Sequence, residues 1–293
     1  MRKLAFATVD VFTTRPLEGN SLAVFPDGRG LSDGEMLAIA REFNLSETTF
    51  VLRREESVER VRGIRTRIFT TREEMPFAGH PTLGTAAVLR GLGAGDEVSL
   101  ELNVGTIPVR FSQREGRTFG EMTQVDPTFG EVHDRERVAQ AIGVPSSELD
   151  PKLPIQTVST GNPVVIVPFR RLAALQQWAP AWNRMQEYLA TSDARFFYAV
   201  CRETVSPEAN LHARMVFYGG DDPATGSAAG PAAAWMVRND LAPSGASIEI
   251  EQGLEIHRPS RMSARADLTS GQVNNVRVGG YFAPVLQGEL ALP

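Results

Sequence analysis

Two short segments constrain the architecture of this chain more than any other feature. "HPTLGTAA" at residues 80–87 aligns without a gap to "DPATGSAA" at 222–229, 142 residues further on. "GNSLAVF" (19–25) aligns to "GNPVVIV" (161–167) at the same spacing. Between these landmarks, "LSETTFVL" (45–52) resembles "TSDARFFYAV" (191–200) and pairs Glu47 with Asp193. One short match can arise by chance, but three in the same order at nearly constant spacing point to an internal duplication. Each half reads Gly-Asn with a strand, a helix, a Ser-acid pair with a strand, another strand, then X-Pro-x-x-Gly-Ser/Thr-Ala-Ala opening a helix. The expected fold is α+β: two pseudo-symmetric domains, each a mostly antiparallel sheet wrapped on a central helix, facing each other across a cleft. The expected domains are 1–118 and 119–280, with the C-terminal strand 281–293 free to cross back to the first.

Local patterns fill in the first half. "LSDGEMLAIAREFNLSE" predicts a helix with Ser32 at the N-cap, Glu35 completing a capping box, and Met36, Ile39, Ala40 and Phe43 on one face. Strands are expected near 4–12, 21–25, 48–53, 61–69, 97–102 and 106–112. In the fourth of these, Ile64, Thr66 and Ile68 share one face and Arg65 and Arg67 the other. Pro81 suits the first position of a helix, where its missing N–H has no partner to lose.

Composition narrows the function classes. The net charge is −5 and arginines are interleaved with acids, as in "RREESVERVR" (53–62), which reads as a solvated face. Neither a nucleic acid nor an anionic membrane is an expected partner. No apolar run approaches the ~18 residues of a spanning helix, and the N-terminal segment lacks the apolar core and cleavage site of a signal peptide. Cytoplasm is the default expectation. The single cysteine, Cys201, permits no internal disulfide and reads as a small buried hydrophobe, and the four scattered histidines argue against a metal site. His133, His212 and His257 read as surface or structural groups, and Trp178, Trp182 and Trp235 as core. "GLGAG" (91–95) follows a helix instead of a strand, so it is no dinucleotide fingerprint.

The duplicated helix starts carry the chemistry. Unpaired N–H groups of a helix's first turn, with the helix dipole, form an anion site. Small residues there (Gly84 and Thr85; Gly226 and Ser227) would leave the approach open for a small carboxylate; the alternative is that the glycines serve close helix–sheet packing. Glu47 precedes an apolar strand, where partial desolvation raises a carboxyl pKa toward the range useful for proton transfer. Asp222 sits where an N-cap is expected. His80 takes the matching place in the first half; histidine is a poor cap, but its imidazole titrates near neutrality, which favours an acid/base or orienting role.

The segments "PLEGNSLAVF", "IAREFNLSETTFVL", "RIFTTREEMPFAGHPTLGTA", "DDPATGSAAGPAAA" and "EQGLEIHRPSRM" together resemble the PhzF-like family of phenazine-biosynthesis isomerases, over nearly the whole chain. The resemblance implies a diaminopimelate-epimerase-like fold and a cofactor-independent isomerase, usually a homodimer. It implies a proton shift on trans-2,3-dihydro-3-hydroxyanthranilate or a related small carboxylate. By motif it assigns Glu47 as principal general acid/base and His80 and Asp222 as the other polar catalytic residues. Gly79, Gly226 and Ser227 surround the substrate carboxylate in this reading, and no metal takes part. Two alternatives stand beside it: an isomerase acting on a different small carboxylate, or a non-catalytic small-acid-binding member of the fold. The two-cysteine epimerisation chemistry of related folds is excluded, because the chain has one cysteine and it lies at neither helix start. Ser21, where proline is common, and Asp221, where glutamate is common, depart from the family pattern.

Overall fold

The computed structural model describes residues 2–292. In chain order the elements are β1 (Arg2–Val11), β2 (Asn20–Phe25), α1 (Asp33–Phe43), β3 (Glu47–Val51), α2 (Glu56–Arg62), β4 (Ile64–Phe69), β5 (Glu74–Met75), α3 (Gly79–Leu89), β6 (Glu97–Leu102), β7 (Gly105–Arg114) and β8 (Arg117–Thr123). There follow β9 (Thr128–Val132), α4 (Arg135–Ile142), β10 (Gln156–Ser159), β11 (Pro163–Phe169), α5 (Leu172–Gln176), α6 (Trp182–Leu189), β12 (Phe196–Cys201), β13 (Leu211–Phe217), β14 (Gly220–Asp221), α7 (Gly226–Arg238), β15 (Ile248–Gln252), β16 (Ser260–Thr269), β17 (Gln272–Gly280) and β18 (Phe282–Leu292). The chain divides into two compact units, Met1–Thr123 with Gly279–Pro293, and Gln124–Val278.

Strand pairing repeats sense for sense in the two units. β1–β2 and β10–β11 are antiparallel, and β2–β3 and β11–β12 are parallel. β3–β4 and β12–β13 are antiparallel, and β4–β5 and β13–β14 are short hairpins. β4–β6 and β13–β15 are parallel. β6–β7 and β15–β16 are antiparallel. β18 adds to β1, and β9 adds to β10, both antiparallel. Such a match in pairing sense is what a duplicated sequence predicts, and the fold class is α+β.

In each unit one helix is enclosed. Residues 79–87 and Leu89 of α3 are buried, as are residues 226–237 of α7. A helix apolar on all sides has to be covered on all sides, and both are built from small residues that let neighbours come close. The opposite face of the first sheet carries an aromatic layer under α1: Phe25 stacks on Phe50 at 5.1 Å and Phe50 meets Phe69 edge-on at 5.7 Å, with Met36, Ile39 and Ala40 above them. The Ser32–Glu35 capping box that starts α1 is formed in both directions. In the second unit α4 and α6 cover the corresponding face, over Val165, Val167, Phe197 and Ala199.

Local details differ from the sequence reading in three places. "ESVERVR" is a surface helix, α2, with no buried residue; it runs until Gly63, whose φ of +89° closes it, so β4 begins at Ile64 rather than at 61. Pro81 is the third residue of α3, not the first. Trp182 is half-buried at the start of α6, while Trp178 and Trp235 are core.

Candidate active site

Side-chain alternation along β3 delivers Glu47. Phe50 faces the aromatic layer under α1, so Thr49 and Glu47 point to the other face, toward α3. The Thr49 hydroxyl meets that of Thr85 on α3 at 2.8 Å. Glu47, two residues earlier on the same face, is 6% exposed, and its Oε2 lies 3.5 Å from Nε2 of His80, which is 3% exposed. Sequence positions 33 residues apart thus converge on one buried pair in the first unit.

Burial sets the charge of this pair. Desolvation pulls the His80 ring down to about 3, only partly countered by a hydrogen bond to the Ser21 backbone. That bond favours the protonated ring, so its partner is the Ser21 carbonyl. Nε2 has no hydrogen-bond partner among the described residues, so Nδ1 makes the bond and holds the ring's proton. His80 is therefore a neutral imidazole at pH 7 that turns a bare nitrogen toward Glu47. A protonated Glu47 can donate to it; an ionised Glu47 faces its lone pair. At 3.5 Å the contact is longer than a formed hydrogen bond.

Gly79 is the first residue of α3, beside His80, behind Ala78, which supplies no side-chain cap. Gly84 and Thr85 lie a full turn inside the helix. A Cβ on Gly84 would come within 2.7 Å of Leu22 and 2.8 Å of Val11. Of the two readings left open for that glycine, close packing on the sheet is the observed one. In the second unit the same motif starts its helix later: α7 begins at Gly226 and Ser227, both buried, behind Thr225, which supplies no side-chain cap. The aligned motifs therefore present different residues at their helix starts.

Asp222 lies between β14 and α7 and is not the N-cap; that position belongs to Thr225. Its carboxylate accepts from the Thr225 hydroxyl at 2.6 Å. Gln252, fully buried, ties the turn together: its Nε2 donates to the Asp222 carbonyl at 2.7 Å and to Thr225 Oγ1 at 2.9 Å, and its Oε1 accepts from Thr225 N and the Tyr198 hydroxyl. Burial first, then the nearby Asp222 charge, push the Tyr198 phenol up, so it stays a donor. Asp221 forms a two-pronged ion pair with Arg214, at 3.1 and 2.9 Å, which fastens β14 to β13. None of Gln252, Thr225, Tyr198 and Arg214 was expected as a site residue. Gln252 has a visible signal, a glutamine closing an otherwise alternating strand.

The pairing of Glu47 with Asp193 does not hold in the structure. Leu22 stands opposite Glu47, and its aligned counterpart Val164 stands opposite Phe196. The second unit thus carries an apolar ring where the first carries the acid. Asp193 lies in the preceding turn and accepts from Glu131 N and Thr157 Oγ1. His212 is structural as expected, though fully buried, clamped between Glu251 and Glu255 at 2.8 Å each. Burial pushes the Cys201 thiol up to about 11, which leaves it unreactive. Among the described residues no group of three or more His, Cys, Asp or Glu side chains could hold a metal ion, and no helix is long and apolar enough to cross a membrane.

The first unit thus holds a buried acid beside a neutral imidazole, and comparison with known proteins bears on the class of protein this fold belongs to. A hydroxyproline epimerase from Agrobacterium vitis shares the fold over 99% of this chain and 91% of its own, with a TM-score of 0.67 at 12% identity. A Bacillus anthracis phenazine biosynthesis protein of the PhzF family matches over the whole of both chains with a TM-score of 0.86 at 30% identity. An uncharacterized isomerase from Mesorhizobium japonicum is 38% identical over 99% of both chains. The trans-2,3-dihydro-3-hydroxyanthranilate isomerase of Pseudomonas aeruginosa is 36% identical over 98% of this chain and 99% of its own. The family model described as phenazine biosynthesis-like protein matches residues 9–288. The chain belongs to this PhzF-like family and is an isomerase.

Proposed function

We propose that the protein catalyses a cofactor-independent proton shift on a small cyclic amino- or hydroxy-carboxylate, of the trans-2,3-dihydro-3-hydroxyanthranilate type. The observation that carries this reading is the buried Glu47–His80 pair, with the imidazole neutral and its free nitrogen toward the acid. Glu47 takes a proton from one ring carbon. The electron pair left behind moves along the conjugated system, and the same carboxyl returns a proton at the far carbon. The enol so formed tautomerises to the ketone, and no atom is gained or lost. The family resemblance assigns His80 and Asp222 to orienting the substrate's amino and hydroxyl groups, and the backbones at Gly79, Gly226 and Ser227 to its carboxylate, the kind of positioning on which such a step depends.

Identity to an isomerase of that name supports the substrate class. The comparable identity to an uncharacterized isomerase supports a second reading, in which the same acid/base pair serves a different small carboxylate. Incubation of the purified protein with trans-2,3-dihydro-3-hydroxyanthranilate, followed by chromatography of the mixture, tests the first reading. Enzyme-dependent loss of the compound to an isomer of equal mass is expected, and its survival beside folded protein refutes it.

A further inference from the structure

Ser21 is the residue whose backbone holds His80. Its own side chain is not idle. Ser21 Oγ donates to Asp10 Oδ1 at 2.5 Å, and the second oxygen of Asp10 accepts from Leu17 N at 2.7 Å. Asp10 and Ser21 face each other across the β1–β2 ladder, and Asp10 is 1% exposed. The intervening loop needs fastening. Phe12 and Leu17 hold φ angles of +65° and +72°, which side-chain-bearing residues adopt at a cost. Gly19, at +68°, lies so near the Val11 carbonyl and Thr13 that no Cβ fits. A buried carboxylate at one end of the bend, taking donors from Leu17 and from Ser21 at its far end, offsets that cost and fixes where Ser21 lies.

We propose that Asp10 is a positioning residue for the acid/base pair. Its carboxylate fastens Ser21, whose carbonyl keeps the His80 proton on Nδ1 and the bare Nε2 toward Glu47. The inference rests on the functional reading above only for its kinetic consequence. The tautomer itself is a property of the free protein.

The test is the nitrogen-15 NMR spectrum of the imidazoles in the full chain without substrate, with the His80 signals assigned by their loss in His80→Asn. The wild type shows His80 protonated at Nδ1 and bare at Nε2 at pH 7. Asp10→Ala gives mixed tautomers, and on a turned-over substrate kcat falls about ten- to a hundredfold with KM nearly unchanged, as for a misplaced catalytic group. Asp10→Asn restores the wild-type tautomer, because its amide donates to Ser21 Oγ while its oxygen accepts from Leu17 N. If Asp10→Ala does not fold, Ser21→Ala removes one hydroxyl and is read in the same spectrum, with a smaller shift in the same direction. A wild-type ring protonated at Nε2 overturns the proposal, as does a tautomer unmoved in whichever of these two variants folds. The outcomes separate cleanly. A tautomer that depends on Asp10 in a protein without turnover upholds the positioning and removes the proposed substrate. Turnover with the proton on Nε2 does the reverse.

Discussion

Glu47 Oε2 and His80 Nε2 stand 3.5 Å apart in the interior of the first unit, and the proton of the imidazole is on the other nitrogen. That relationship makes His80 an acceptor rather than an acid. In the proposed reaction it lets His80 accept a hydrogen bond from a protonated Glu47 without taking the proton. It fits the division of labour proposed for the pair, in which the carboxyl transfers and the imidazole orients.

His80 does not titrate in the physiological range. Held down to about 3 by burial, it stays neutral from pH 8 to pH 5, so kcat/KM has no inflection near 6.5 that belongs to this ring. A pH titration of the imidazole resonances checks this directly: the assigned His80 signals keep their neutral-ring shifts from pH 8 to pH 5. Because its folded pKa lies below the unfolded value of 6.5, the ring adds stability above that pH. This contribution drains away as pH falls from about 6.5 toward 3.

His212 carries the opposite sign. Burial pulls the ring down, but its hydrogen bonds to Glu251 and Glu255 outweigh that and raise it to about 9. Its stabilisation is complete below 6.5 and is lost as pH climbs through 9. Both glutamates are lowered despite their own burial, and their share is lost as pH falls below 4.5. Replacing His212 by Ala leaves two buried carboxylates without their cation and costs about 3–5 kcal/mol. Urea unfolding from pH 6 to 10 reads both effects, and the variant's curve is flatter on the alkaline side.

Gly84→Ala destabilises the first unit. Alanine is the better helix former by about 1 kcal/mol, and at a solvent-facing position the change would help. Here the methyl meets Leu22 and Val11 at 2.7 and 2.8 Å, and overpacking of that kind costs about 1–3 kcal/mol. Steric cost therefore exceeds propensity, and the midpoint of chemical unfolding falls.

Thr225→Val removes one donor from the Asp222 carboxylate and an acceptor from the Gln252 amide, which is left with an unpaired N–H. Leaving buried polar groups unpaired costs about 1–3 kcal/mol. On the proposed orienting role of Asp222, loss of this donor raises KM more than it lowers kcat, and steady-state kinetics separates the two.

The fold was legible because duplicated motifs survive as text: Gly19–Asn20 with Gly161–Asn162, and the two small-residue helices, keep order and spacing. The side of β3 to which Glu47 points follows from period-2 alternation against Phe50. Other features depend on contacts that a one-dimensional alignment does not contain. Asp193 resembles Glu47 in the text because both follow serine, yet strand register gives that place to Phe196. Where each helix starts depends on the turn before it, so identical Gly-Ser/Thr-Ala-Ala runs fall inside α3 but at the head of α7. The His80 tautomer depends on a Ser21 carbonyl 59 positions away in the chain, and no side-chain pattern announces it.

The central claim, that Glu47 moves a proton between carbons, is tested most directly by turnover of trans-2,3-dihydro-3-hydroxyanthranilate in deuterated water, with label located by NMR. The wild type is expected to form product with deuterium on the carbon that gains the proton. Glu47→Gln, folded and still binding ligand, is expected to lose about 10²–10⁴ in rate, as removal of a general acid/base does. Label incorporation at the wild-type rate in Glu47→Gln contradicts the account.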